Sequence, residues 1–180
     1  MTVRDVKKQA LHALSFLVTL AVVVGVLKFM NWAPGALEPG LMSRYQGVDD
    51  VQATLGIRKI YVPAYFPETL GWPPAAILAQ SKPYPAVVME FARASDGETM
   101  LVIAQAASRS FDPEAAIRFS TVSETVALDL RGRRAQLEAG LCEDRTACSR
   151  LEWEEGDLHL TLTMKAPSVE LIRIAESMLH

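Results

Sequence analysis

Residues 157–165, AspLeuHisLeuThrLeuThrMetLys, alternate without a break. Leu158, Leu160, Leu162 and Met164 fall on one side of an extended chain, and His159, Thr161, Thr163 and Lys165 on the other. Period-two alternation of this kind predicts a strand with one buried and one wet face, the mark of an antiparallel sheet. Working upstream, SerArgLeuGluTrpGlu (149–154), ArgArgAlaGlnLeuGlu (133–138) and SerGluThrValAlaLeuAspLeuArg (123–131) extend the pattern into a meander. Its turns are expected at GluGlyAsp (155–157), at the loop between the two cysteines, and at ArgGly (131–132). Downstream, Ser168 is read as the cap of a terminal helix lined by Val169, Ile172, Ala175 and Met178, which covers the sheet.

The first half of the chain is less regular. ProAlaValValMetGluPheAlaArg (85–93) and ThrMetLeuValIleAlaGlnAla (99–106) flank SerAspGly (95–97), and an AspGly between apolar runs is a strong hairpin signal. AspProGluAlaAlaIleArgPhe (112–119) has the Asp, Pro and early Glu of a short helix start. Residues 63–74 hold four prolines and read as an extended connector. Before it, IleArgLysIleTyrValPro (57–63) has the composition of a strand, and ValAspAspValGlnAlaThrLeuGly (48–56) that of a short helix stopped by Gly56.

Residues 10–30 are apolar for about 20 positions, long enough at 1.5 Å per residue to cross the roughly 30 Å hydrocarbon core of a bilayer. Arg4, Lys7 and Lys8 precede the run and favour a cytoplasmic N-terminus, which places the rest in the periplasm or outside the cell. A cleaved signal peptide also has a basic start and an apolar middle, but this run is longer and leads into LysPheMetAsnTrp rather than a small-residue cleavage site. Lys28 and Trp32 suit the outer edge of a membrane helix, and Ala21 and Gly25, four apart, permit close packing of such helices. The expected organisation is a cytoplasmic N-terminus (1–9), a transmembrane helix (10–30), a stalk (31–47) and one extracytoplasmic domain (48–180). The fold class expected is α+β, a mainly antiparallel curved sheet packed by short helices.

Beyond residue 30 the chain carries 14 basic and 20 acidic side chains, a net charge of −6. An acidic domain is a poor partner for nucleic acid, so none is expected. Cys142 and Cys148 are the only cysteines, and six residues apart in an oxidising compartment they read as a disulfide. The spacing is not that of a CxxC redox centre, and His12, His159 and His180 do not complete a zinc set. His159 points to the wet face with no oriented carboxylate or nucleophile identifiable beside it. Glu152, Glu154, Glu155 and Asp157 lack the spacing of a calcium loop. With no GxSxG or HExxH motif, neither an enzyme nor a cofactor is expected.

A LeuGly segment, the strand into ProAlaTyrPheProGluThrLeu, the hairpin ending LeuValIleAlaGln, the LeuGluTrpGluGluGly turn and the last helix with IleAlaGluSerMet form a set. Together, over residues 46–180, they resemble an uncharacterised extracytoplasmic domain family. Its members stand at the C-terminal end of membrane-anchored sigma-factor regulators and lipoprotein-sorting-like proteins. The resemblance implies a fold and a compartment and carries no catalytic residues. Nine residues before the apolar run are too few for a cytoplasmic anti-sigma domain, so a direct anti-sigma role is not expected.

Two surfaces stand out. Tyr61, Tyr65, Phe66, Trp72 and Tyr84 hold five of the thirteen aromatics among prolines, a rigid candidate contact surface for a protein partner, or else core. Arg131, Arg133 and Arg134 surround one hairpin turn and are candidates for an anionic lipid headgroup or an acidic partner. The function expected is a membrane-anchored binding or accessory module acting by protein contact. The alternatives are a structural subunit of a larger membrane complex, or a lipid or lipoprotein carrier.

Overall fold

The computed structural model describes residues 22–24, 28, 42–113 and 116–179. Most of the expected membrane helix, including its Ala21 and Gly25, the N-terminal segment and most of the stalk lie outside the described residues, as do His12 and His180. Residues 22–24 and 28 are helical. Among the described residues no helix is long and apolar enough to cross a membrane.

The chain divides into two units, Met1–Pro39 and Gly40–His180. The second is built on one open, fully antiparallel sheet of eight strands: β1 (Ser43–Tyr45), β2 (Ala76–Gln80), β3 (Ala86–Ala92), β4 (Thr99–Ala106), β5 (Phe119–Leu130), β6 (Arg133–Cys142), β7 (Ala147–Glu155) and β8 (Leu158–Met164). Their spatial order is β1-β2-β3-β4-β8-β7-β6-β5. Two four-stranded meanders therefore meet at β4 and β8, and the connection from β4 to β5 carries the chain to the far edge. Helices α1 (Val48–Leu55) and α2 (Ser168–Ser177) complete the fold.

The β3–β4 hairpin forms where Gly97 supplies a positive φ of 75° and its N–H donates to the Arg93 carbonyl. At the β5–β6 turn Arg131 and Gly132 both have positive φ, the primed geometry that matches strand twist, and Asp129 Oδ1 accepts the Gly132 N–H at 2.7 Å. Glu155 pairs with Leu158, so only Gly156 and Asp157 lie between β7 and β8.

One face of the sheet is closed and the other half-open. On the closed face Met89, Phe91, Leu101, Ile103, Leu151, Leu160 and Leu162 are fully buried beneath α1, α2 and the segment from 57 to 70. On the open face a smaller cluster of Val88, Val102, Ala104 and Ile117 includes both cysteines. The alternation read from residues 157–165 holds: Leu160, Leu162 and Met164 are buried on the closed face, and Thr161 and Thr163 lie opposite.

Five elements differ from the sequence reading. Residues 57–63 form no strand, because they run across the closed face, where Ile57, Ile60 and Val62 pack on the core and no strand edge is within reach. Residues 112, 113 and 116–118 are not helical, since they cross to the far edge of the sheet. In α2 the buried stripe is Leu171, Ile174, Ala175 and Met178, while Val169 is 65% exposed. Ser168 makes no side-chain cap bond and the cap position is Pro167. Strands β1 and β2 were not anticipated, and β1 falls in the stretch read as stalk.

Candidate functional site

The open face carries a cleft of about 510 Å³ between the sheet and the β4–β5 connection. That volume is in the range of small-molecule sites. Its floor is set by strand register. Val102, Thr163 and Arg150 lie side by side across β4, β8 and β7, as do Ala104, Thr161 and Glu152 one pleat along. The floor therefore grades from apolar through hydroxyl to charged, and Phe111, Ile117 and Phe119 wall it from the connection side.

Of the charges that line it, Arg109, Arg150 and Glu152 are paired, while Asp112, Arg118 and Glu143 make no ion pair among the described residues. Arg150 donates to Glu138 through Nε at 3.0 Å and also through Nη2, with its guanidinium 5.2 Å from the Phe119 ring centroid. Glu152 has Arg150 Nε at 3.4 Å and His159 Nε2 at 3.7 Å, and Arg109 pairs with Glu154. Desolvating Arg150 and Glu152 under an acyl chain would be costly, so this lining suits a polar occupant rather than a lipid tail.

His159 thus has a carboxylate neighbour that the sequence reading did not identify. At 3.7 Å the contact is longer than a hydrogen bond, and among the described residues the hydroxyls lining the cleft are those of Thr161 and Thr163. The signal was present in the two-residue β7–β8 turn, which sets Glu152 across from Thr161 and diagonal to His159.

The five aromatics do not make one surface. Tyr61, Tyr65 and Phe66 pack on the closed-face core, whereas Tyr84 meets Phe111 edge-on at 6.1 Å, with Phe111 packed on the open-face cluster. Tyr65 donates its hydroxyl to Glu170 at 3.1 Å, its N–H to Ser177 Oγ, and its ring lies 4.8 Å from Arg173, so it fastens the connector to α2. Burial first, and then the Glu170 carboxylate, push the Tyr65 hydroxyl up from its ordinary pKa. Phe66 lies 4.9 Å from Phe91 and 5.5 Å from Trp72, and Trp72 remains 60% exposed.

The three hairpin arginines differ in the same way. Arg133 forms a two-pronged pair with Glu155, whose carboxyl it holds below the usual range. Arg131 donates to the Leu179 carbonyl at 3.1 Å. Arg134 is exposed and makes no ion pair among the described residues.

Cys142 and Cys148 sit at disulfide distance, Cα atoms 5.5 Å apart, both buried. The loop they close is held at its tip, where Asp144 accepts from Thr146 and Lys165, and Lys165 reaches on to Glu98 in the β3–β4 turn. One end of the cleft is bounded by this loop through Glu143, whose N–H donates to the Arg118 carbonyl.

The sequence reading did not single out β5. It is twelve residues long, pairs among the described residues only with β6, and is exposed from Ser120 to Ala127, with Val122 and Val126 each more than 40% accessible. Its one-sided pairing leaves a row of backbone N–H and C=O groups without ladder partners.

No protein-family model, curated protein or solved structure matches this chain.

Proposed function

We propose that this chain is a membrane-anchored, extracytoplasmic binding module that acts by protein contact and performs no chemistry of its own. The observation that carries this reading is the unpaired edge of β5. Long edges of high β-propensity are ordinarily shortened, charged, bulged or covered, because they recruit other strands. Here two bulges bend β5 before Glu124, but from Glu124 to Leu130 its register is regular, and Glu124 and Asp129 are its only charged residues.

The basic start and apolar run of residues 4–30 supply the anchor in this reading, and the acidic remainder is the working domain. Anchoring confines domain and partner to one surface and raises their effective concentration, so a modest interface suffices. If the same contacts are made permanently, the module is a structural subunit of a larger membrane complex. Purification of the tagged full-length protein from its native membrane in mild detergent tests the reading. A partner eluting in fixed stoichiometry supports it, and a protein that elutes alone, with or without bound lipid, contradicts it.

A further inference from the structure

We propose that the β5 edge, together with the tip of the β5–β6 hairpin, receives an extended segment of a partner protein. That segment carries aliphatic side chains at alternate positions and an acidic residue at the end that reaches Arg134. The inference rests on the protein-contact reading above and names the chemistry of the partner.

The backbone sets the mode. A ninth strand laid beside β5 would satisfy the unpaired N–H and C=O groups along its edge, as in strand-addition complexes. Side chains set the alternation. Val126 is paired with Leu137 and Leu128 with Ala135, so they lie on one face of the ribbon in a row, and Val126 is 41% exposed. Every second residue of an added strand would fall beside this row.

Charge sets the end. Arg131 and Arg134 are exposed at the hairpin tip, and Arg134 makes no ion pair among the described residues. The nearest acid, Asp129, is turned into the turn to accept the Gly132 N–H. An incoming carboxylate that reaches over Asp129 to Arg134, which stands opposite it on β6, would find a guanidinium there without displacing an existing partner. The same charges disfavour a second copy of this chain. Antiparallel pairing over the full length of β5 sets Phe119 against Leu130 of the other copy, which brings Arg131 against its Arg118, cation to cation.

The test places a photoreactive residue at Thr125, on the exposed stretch of β5, in the full-length protein in its own cell, with Trp72 as the second position. The proposal expects an adduct from Thr125 whose cross-linked peptide shows alternate aliphatic residues followed by Asp or Glu. Its yield falls about tenfold in Arg134→Glu, as a like-charge juxtaposition requires. Arg134 is exposed, so unchanged thermal unfolding of that variant confirms that the fold is not the cause. An adduct with this chain's own β5 overturns the proposal in favour of a second copy. A Thr125 adduct indifferent to Arg134→Glu, or one without the alternation, overturns the assigned chemistry and leaves the protein-contact reading standing. Adducts from Trp72 alone overturn the edge as the site. No adduct from either position overturns both.

Discussion

The side chain of Gln105 and the backbone of Tyr61 form a closed pair of hydrogen bonds: Tyr61 N–H donates to Gln105 Oε1 at 2.8 Å, and Gln105 Nε2 donates to the Tyr61 carbonyl at 2.6 Å. Gln105 stands on β4 facing the closed side, only 2% exposed. It offers the 57–62 segment the bonds that a neighbouring strand would have given, which is why a stretch of strand composition lies flat on a core with no ladder. Gln105→Leu keeps the volume and strands both backbone groups of Tyr61. It should cost about 1–3 kcal/mol, the loss of two partly buried hydrogen bonds. Urea unfolding checks this, and a loss under 1 kcal/mol would mean that water replaces the amide.

Gly140 is required where β5 bends. The β5–β6 register shifts between Phe119 and Thr121 and again between Val122 and Glu124, and a Cβ on Gly140 would overlap the Thr121 carbonyl oxygen. The obstacle is backbone, so it cannot rotate away. Gly140→Ala should destabilise by about 1–3 kcal/mol, as overpacking does. Hydrogen exchange in β5 should rise at Thr121 and Val122 first. An unchanged exchange pattern would show that the bulge is not fixed by this glycine.

The pair Cys142 and Cys148 closes a short loop from within the open-face cluster. Chain-entropy reasoning for so short a loop gives about 2–3 kcal/mol. Replacing both with Ala should lower stability by that amount and make unfolding insensitive to reductant, whereas the natural protein loses the same amount when reductant is added. A natural protein indifferent to reductant would contradict the pairing.

Asp144, Lys165 and Glu98 give the fold a defined pH response. The Lys165 ammonium, and after it Thr146, hold the Asp144 carboxyl well below the usual carboxylate range, while Asp144 and then Glu98 push Lys165 up. A lowered carboxyl contributes stability that is complete above its unfolded value of about 3.9 and is lost as pH falls through the folded value. The raised ammonium contributes below its unfolded value of about 10.4, and that part is lost as pH rises through the folded value. Between these limits both are present. The difference in urea midpoint between the natural protein and Asp144→Asn should therefore be constant at neutral pH and shrink below about pH 4. A difference that holds to pH 2 would rule out this carboxyl as its source.

What the sequence disclosed follows the physics of each element. Residues 157–165 lie between a covered and a half-open face, so their alternation is explicit, and the paired strands with short turns were legible with them. Strand β2, AlaIleLeuAlaGln, is only five residues between proline-rich stretches and shows no polar alternation, so periodicity had nothing to report. The helical stripe of α2 was displaced because Val169 and Leu171 fit a 3.6-residue period equally well, and only the position of the sheet decides between them. For the candidate site, sequence could name Arg131, Arg134 and His159 but not their situations. That Arg133 is occupied by Glu155, that Glu152 stands beside His159, and that β5 lies at the edge are consequences of strand order, which neither composition nor spacing encodes.

The central claim is that the exposed edge of β5 is where this protein meets its partner, and Val126→Lys addresses it most directly. Val126 is on the surface, so lysine leaves the core intact while placing a charge where an added strand must pack. The measurement is the stoichiometry of the partner recovered with the full-length protein from native membranes in mild detergent, natural protein against variant. The account predicts that the partner is lost from Val126→Lys while the variant's unfolding temperature is unchanged. Recovery of the partner at full stoichiometry would contradict it.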